Sequence, residues 1–262
     1  MNFNERTKLA IDVVKLAGAK VLEIQKGDMG TKEKGFNDVV TLADLASEEI
    51  ITSAIYKAFA DDGMIAEESA RWESKTGYTW VCDPLDGTKN YSRGLPIYAV
   101  SLGYMENNVP MGGAIYLPKM DELFVCERGK GAWLNGEKIS VSDGDLSGGL
   151  ATIGFAPTAS ELWKWFSSVC ENVVRGSGAG ILRLGAGVVG LCYLACGRTD
   201  MFSVLDCNLW DMMPASLMIE EAGGRITQLD GSEIDYTQVE KQCLLATNGV
   251  FHDKAIELVR RD

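Results

Sequence analysis

The sequence predicts a mixed α/β protein in two parts, an α+β half followed by an α/β half. Three observations carry this. Two amphipathic helical stretches, 5–26 and 42–60, precede a run of short apolar strands separated by turns. After residue 150, strand and helix patterns alternate instead. Between the two regimes lies a Ser/Gly/Asp-rich segment, 140–149, which sets the expected boundary between halves 1–145 and 146–262. At roughly 150 residues per domain the length suits one large domain or two modest ones.

Each element has its own justification. In the first stretch apolar residues at 9, 13, 14, 16, 17 and 21 share a helix face, and Glu5 and Asp12 argue against a signal peptide. In 42–60 the apolar positions 42, 45, 46, 50, 51, 54, 55, 58 and 59 keep helical spacing. Short strands follow at Gly63–Ala66 and Tyr78–Cys82. A meander spans Tyr98–Val125 with turns at 106–108 and 117–121, and 127–136 reads as two turns around a short strand. Beyond the boundary, strands near 150–154, 180–184 and 201–204 alternate with helices near 159–171, 186–196 and 212–222. The apolar run Gly178–Gly197 contains Arg183 and six glycines, so no membrane span is expected.

Composition removes several function classes. A formal charge of −12 argues against a nucleic-acid footprint, which needs clustered Lys and Arg. The single histidine, His252, lies in a polar stretch and reads as a surface residue in a turn. With only one, a His-rich zinc site cannot be built, and a Ser-His-Asp triad would have to use it. Seven cysteines show no disulfide-framework spacing, and Cys192 and Cys196 read as small buried thiols. Reduced thiols point to a cytoplasmic location. Any catalysis therefore falls to carboxylates, hydroxyls and bound metal.

The densest signal is Trp80-Val81-Cys82-Asp83-Pro84-Leu85-Asp86-Gly87-Thr88. An apolar strand ends in two carboxylates three residues apart, with Pro84 fixing its own φ between them. Gly87 and Thr88 then open a short helical segment that ends before Gly94, and such an opening aims backbone N–H groups outward, as anions require. Carboxylates beside an anion site make sense with cations between them. Taken singly, Asp86 as a helix cap and Asp83 as a turn residue explain the hexad equally well. Glu67 and Glu68 stand at the carboxy end of another apolar strand. Asp211 reads as the N-cap of a helix from Met212 with Pro214 in its first turn, and Thr41 with Asp44 reads as a capping box. Each acid alone has a structural explanation; the set together is harder to explain that way.

Asp38-Val39-Val40-Thr41-Leu42-Ala43-Asp44, Gly63 to Ser69, Asp83 to Thr88, and Trp210-Asp211 with Glu221-Ala222-Gly223-Gly224 behind it fall in one order across 38–224. In this the chain resembles the inositol monophosphatase-like, Mg2+-dependent, lithium-sensitive phosphatases. The resemblance implies a layered αβαβα sandwich of the inositol monophosphatase and fructose-1,6-bisphosphatase type, assembled as a homodimer. It implies that Glu67, Asp83 and the Leu85 carbonyl hold one Mg2+. Asp83, Asp86 and Asp211 would hold a second, and Glu67 would help hold a weaker third. Hard oxygen donors suit that ion. Two like charges about 4 Å apart repel by roughly 4 kcal/mol at an effective dielectric of 20, so such a cluster needs cations. Thr88 paired with Asp44 would orient and help deprotonate an attacking water, and the Gly87 and Thr88 amides would cradle the phosphate. The expected partner is a small-molecule phosphate ester, with no nucleic acid and no membrane.

Two departures bear on substrate. The family's substrate-contacting glutamate, seven residues before the Asp of Trp-Asp, is here Val204, which accepts no hydrogen bond. Asp206, two residues on, is a candidate substitute, against a turn role. Gly185-Ala186-Gly187 stands where the family has Gly-Ser/Thr-Ala near the sugar, so Ala186 and Gly187 offer no hydroxyl. Met213 and Pro214 also replace small residues after Trp-Asp. Histidinol phosphate, nucleotide 3′-phosphates and sugar bisphosphates such as fructose 1,6-bisphosphate therefore stay open as substrates. Arg175 and Arg183 are candidates to meet a second phosphate, against the plainer reading of surface arginines. Trp163, Trp165 and Phe166 read as the apolar face of a helix rather than a ring-stacking platform. Gly185 to Gly190 also matches G-x-G-x-x-G with Asp206 about twenty residues on, the layout of a dinucleotide-binding protein. Arg183 in the supposed first strand and the short helix after it argue against that. A non-catalytic scaffold would be expected to lack one of the four acids, and none is missing.

Overall fold

The computed structural model describes residues 2–35, 38–68, 70–155 and 160–260. The chain opens with α1 (Glu5–Ile24), the hairpin β1 (Lys32–Gly35) and β2 (Asp38–Val40), and α2 (Leu42–Ala58). Next come β3 (Gly63–Ala66), β4 (Arg71–Trp72), β5 (Tyr78–Asp86) and the short α3 (Thr88–Ser92). The meander is β6 (Ala99–Glu106), β7 (Val109–Leu117), β8 (Glu122–Glu127), β9 (Gly131–Leu134) and β10 (Glu137–Ile139). The second part begins with β11 (Leu150–Phe155), α4 (Ser160–Ser177), β12 (Gly180–Leu182), α5 (Gly187–Ala195) and β13 (Met201–Cys207). It closes with α6 (Leu209–Glu221), β14 (Arg225–Gln228), β15 (Gln242–Thr247) and α7 (His252–Val259).

Two sheets organise these elements. The larger has the order β10-β9-β8-β7-β6-β5-β3-β4, antiparallel except where β3 runs parallel to β5. The smaller has the order β12-β11-β13-β15-β14, with β11 parallel to both neighbours. On the outer face of the large sheet, Val14, Val21, Ile51 and Ile55 of α1 and α2 pack on Trp80, Leu102 and Tyr104. Between the sheets lie α5 and α6, whose Val188, Leu191, Met213 and Leu217 meet Ile115 and Phe124 on one side and Phe202 and Leu244 on the other. Beyond the small sheet, Trp165, Val169 and Val259 of α4 and α7 cover Ile153, Met201 and Leu245. The layers are therefore α, β, α, β, α, as the resemblance implied.

The layering explains the local patterns. A strand covered on both faces loses polar alternation, and the first seven residues of β6 are all buried. Likewise α5, enclosed by two sheets, is apolar nearly all round. The outer helix α1 keeps a buried stripe at Ala10, Val13, Val14, Ala17 and Val21, and Asn4 caps it by accepting from the Thr7 amide at 2.8 Å.

Three expectations are corrected. Strand β5 runs on past Cys82 to Asp86, because a bulge between Asp83 and Asp86 absorbs Pro84, which has no N–H for the ladder. Helix α6 starts at Leu209, so Asp211 is not its N-cap; that place is Asn208's, whose amide donates to Asp211 Oδ2 at 2.7 Å. Pro214 consequently sits inside the helix, beyond its first turn. It costs one helical hydrogen bond and packs on two glycines: a Cβ at Gly103 or Gly113 would come within 2.8 or 3.1 Å of its ring.

The third correction concerns His252, which is 1% exposed rather than on the surface. Its Nε2 and Nδ1 each lie 2.9 Å from a threonine hydroxyl, those of Thr227 and Thr247. Burial first, then the Arg225 charge, push its pKa down from 6.5 to about 4. The native state thus resists a proton that the unfolded chain accepts. The stabilisation is complete above pH 6.5 and is lost as pH falls toward about 4, in total roughly 3 kcal/mol. The melting-temperature difference between wild type and His252→Gln should shrink over that window; a difference independent of pH would refute the assignment.

Candidate active site

One cavity of about 540 Å3 gathers the ends of six elements. Glu67 follows β3, whose parallel ladder with β5 ends at Ala66 opposite Cys82 and is extended once by the Glu67 amide on the Cys82 carbonyl (3.2 Å). Asp83 and Asp86 flank the β5 bulge. Gly87 and Thr88 begin α3, Asp211 lies in the first turn of α6, and Ala186 and Gly187 begin α5. Val204 and Asp206 come from β13. All of these line the cavity, as does Leu85. Asp44 does not; it stands behind Thr88, whose hydroxyl lies 2.9 Å from both Asp44 Oδ1 and the Leu85 carbonyl.

Local chemistry explains the placement. Asp83 Oδ1 accepts from the Leu85 amide at 3.0 Å, closing the turn around Pro84. Gly87 has φ +83°, and a Cβ there would lie 2.8 Å from the Ile97 carbonyl and 3.0 Å from Ala186, so the turn into α3 requires glycine. Asp44 Oδ2 accepts from the Thr41 amide (2.7 Å) and hydroxyl (2.6 Å), so the capping box is present and leaves Oδ1 to Thr88. Asp86 reaches across to the C-terminal half, accepting from Gly187 N at 2.9 Å and Val189 N at 3.1 Å at the positive end of α5. Asp206 adopts φ +63° where the β13–β15 register shifts between Val204 and Cys207, a bulge that redirects the chain at the cavity wall.

The four cavity acids strain one another electrostatically. Burial, then the Asp211 charge, holds the Glu67 carboxyl well above the usual range, and burial and Glu67 do the same for Asp83. Burial, then Asp211, lifts Asp86 to about 7, and burial lifts Asp211 to about 6. Asp44 is raised as well, by burial against its hydrogen bonds from Thr41 and Thr88. Among the described residues no three His, Cys, Asp or Glu side chains close into a ready-made cage. Asp83, Asp86 and Asp211 are each tied to a backbone amide instead. Acids whose charged forms are disfavoured by burial and by one another are a donor set that a hard divalent cation would satisfy.

A family model, the inositol monophosphatase family, matches residues 2–262. The chain belongs to the inositol monophosphatase family. Among its relatives is the fructose-1,6-bisphosphatase/inositol-1-monophosphatase of Aquifex aeolicus, 33% identical over 98% of this chain and 97% of that protein. Two solved structures are similar over nearly their whole length. One is the extragenic suppressor protein suhB of Bartonella henselae, with TM-score 0.92 and 29% identity over 98% of this chain and 99% of that one. The other is the inositol monophosphatase of Anabaena (Nostoc) sp. PCC 7120, with TM-score 0.84 and 32% identity over 97% and 94%. Membership makes the chain a metal-dependent phosphatase of small phosphorylated metabolites, a phosphoric monoester hydrolase.

Within this family fold the competing readings lose their footing. The N-terminal amides of α5, where a dinucleotide pyrophosphate would sit, are occupied by Asp86, and β12 before it is an edge strand. Arg175 pairs with Glu171 on exposed α4 and does not line the cavity, whereas Arg183 does. Trp163, Trp165 and Phe166 lie away from the cavity; Trp165 is buried and donates to the Val259 carbonyl at 2.9 Å. Among the cavity residues that escaped sequence reasoning are Asn90, Lys89 and Thr152. Asn90 donates to the Ile97 and Leu184 carbonyls, both at 2.8 Å, clamping α3 to the loop before α5. Lys89 lines the rim beside it. Thr152 lines the cavity, and its buried hydroxyl has no partner among the described residues. Only the pairing of β11 with β13 brings Thr152 there, so no local signal marks it.

Proposed function

We propose that this phosphatase uses Mg2+ held by Glu67, Asp83, Asp86, Asp211 and the Leu85 carbonyl, two ions per chain with a weaker third at Glu67. The observation that supports this best is the convergence of four mutually destabilised carboxylates on one cavity, whose wall at Thr88 is backed by Asp44. Bound there, Mg2+ supplies Lewis-acid polarisation of the phosphate, neutralisation of the leaving oxygen and a lowered pKa for the attacking water. The chain's own residues do the rest. The Leu85 carbonyl, with one lone pair facing Thr88, keeps a second for the ion. The Thr88 hydroxyl orients the water and relays its proton to Asp44, whose raised pKa makes it a better acceptor. The Gly87 and Thr88 amides cradle the phosphate oxygens. The site is shared between halves 1–145 and 146–262, and Asp86 on the α5 amides joins them.

The ester it prefers is set by Val204 and Ala186. Val204 sits between Gly154 and Leu244 in the small sheet, so this wall is apolar. Ala186 begins α5 with no side-chain cap. Asp206 and Gly187 complete that end. A phosphate-release screen in Mg2+ with inositol-1-phosphate, histidinol phosphate, fructose 1,6-bisphosphate and adenosine 3′,5′-bisphosphate tests the reading. Inositol-1-phosphate should turn over weakly relative to the best substrate, and Val204→Glu should raise its kcat/KM by about 10-fold. A strong wild-type preference for inositol-1-phosphate would overturn the role given to Val204.

Lithium inhibition belongs to the same reading, as does a cytoplasmic homodimer. All seven cysteines are free, which supports a reducing compartment. Trp163 and Val174, eleven residues apart on α4 and therefore on one face, are each about half exposed and support a subunit contact. Among the described residues, no helix is long and apolar enough to cross a membrane.

A further inference from the structure

The buried face of α2 carries three polar side chains, Asp44, Ser47 and Glu48, whose i, i+3, i+4 spacing stacks them along one stripe. Each touches a different segment of the site. Asp44 meets Thr88, the contact already described. Ser47 Oγ, fully buried, donates to the Pro84 carbonyl at 2.7 Å, in the middle of the turn between Asp83 and Asp86. Glu48, only 5% exposed, accepts from Glu68 N at 2.9 Å through Oε2 and from Ala70 N at 3.1 Å through Oε1. A buried carboxylate is costly unless it is well hydrogen-bonded, and both oxygens here are committed to backbone N–H groups.

The ladder shows why such a brace is needed. Strands β3 and β5 pair only as far as Ala66 and Cys82, and one further amide bond carries the contact to Glu67. Past that point the two segments part: β5 stays paired with β6 through Asp83, opposite Ser101, while the chain that presents Glu67 leaves β5. The Ala66 amide donates to the Ala70 carbonyl at 2.9 Å, which places Ala70 beside the end of β3. Neighbouring residues of one helix, Ser47 and Glu48, then hold the two diverging segments, one at the Pro84 turn and the other at 68–70.

We infer that Glu48, assisted by Ser47, is a positioning residue that sets the spacing of Glu67 against Asp83 and thereby the affinity of the site for Mg2+. The inference rests on the Mg2+ reading above.

The test is Mg2+ titration calorimetry on substrate-free wild type, Glu48→Gln, Glu48→Asp and Ser47→Ala. Amide hydrogen exchange over 66–70 and phosphate release against Mg2+ concentration accompany it. In Glu48→Gln an amide nitrogen faces one of the two N–H donors. Mg2+ affinity should fall about 10- to 100-fold, the range for partners that orient metal ligands. Turnover at saturating Mg2+ should stay within about 3-fold, since Glu48 touches no reacting group. The Glu68 and Ala70 amides should lose protection while those of Trp80 and Leu102 keep theirs. Glu48→Asp, which retains the charge, should recover part of the affinity. Should Glu48→Gln fail to fold, Ser47→Ala carries the test, with a loss of about 3- to 10-fold expected from one missing hydrogen bond. Normal Mg2+ affinity and normal exchange at 68–70 in the folded variants, beside a normal wild-type titration, overturn the inference alone. No Mg2+ heat in wild type overturns the Mg2+ reading and the inference with it.

Discussion

Asp86→Asn is expected to lower phosphate release by about three orders of magnitude or more while leaving the fold intact. Asp86 does two things at once. Its oxygens accept from the Gly187 and Val189 amides, and in the proposed site it is a ligand of one Mg2+. Asparagine keeps the volume and can still accept one amide bond, so α5 should stay docked. It withdraws a negative charge from the ion and turns a donor group toward the second amide. Circular dichroism and melting in EDTA should match wild type closely, because the change also removes a carboxylate repelled by Asp211. Near-wild-type rates in this variant would sink the assignment of the site.

The second large effect concerns metal removal. In EDTA, stability should fall as pH rises from about 4 to about 8. Asp86 and Asp211 move from 3.8 in the unfolded chain to about 7 and about 6 in the native state, and Glu67 and Asp83 are raised further by burial and by one another. Raised native pKa values mean the folded state binds protons that the unfolded state has released. The stabilisation is therefore complete below the unfolded values and disappears as pH climbs through the native ones. In the proposed site Mg2+ would replace those protons. At 100 times its dissociation constant it should return about 2.7 kcal/mol, or roughly 5–10 °C in melting temperature for a chain of this size. Because binding expels protons, the Mg2+-induced shift should be larger near pH 8 than near pH 5. Scanning calorimetry with and without EDTA measures both trends. An equal shift at both pH values would contradict the picture. His252 acts in the opposite direction, which is why its contribution is read as a difference between two proteins.

What could be read in the sequence was whatever is decided over a few residues. Pro84 fixes its own φ, Gly87 permits a left-handed turn, and the hexad around them therefore announces a sharp carboxylate-bearing corner without help from the rest of the chain. Helical and strand periodicities likewise located α1, α2 and the meander, because burial of one face repeats at short range. The start of α6 was also legible in principle. Asn208 and Asp211 are both capping residues three apart, and the pair forms a capping box in which Asp211 is the inner member. Long-range packing was not legible. His252 follows a polar turn yet is buried because Thr227 and Thr247, from two strands of the small sheet, converge on its ring. Arg175 and Arg183 look alike in the sequence, and only the fold puts one on an outer helix and the other on the cavity rim. Asn90 and Thr152 owe their places to partners many residues away.

The bond between Asp86 and the start of α5 joins residues 101 and 103 positions apart. During synthesis, the large sheet with Asp83 and Asp86 emerges well before α5 and α6 exist. At that stage Asp86 has no α5 amides to accept from, and Asp211 is not yet part of the chain. Contacts of such long sequence separation form late in folding, after the cost of closing the intervening loop has been met. The proposed site is thus expected to be among the last features of the molecule to form. A chain cut short before Asp211 lacks one of the four cavity acids and the α6 face that covers the inner side of the large sheet.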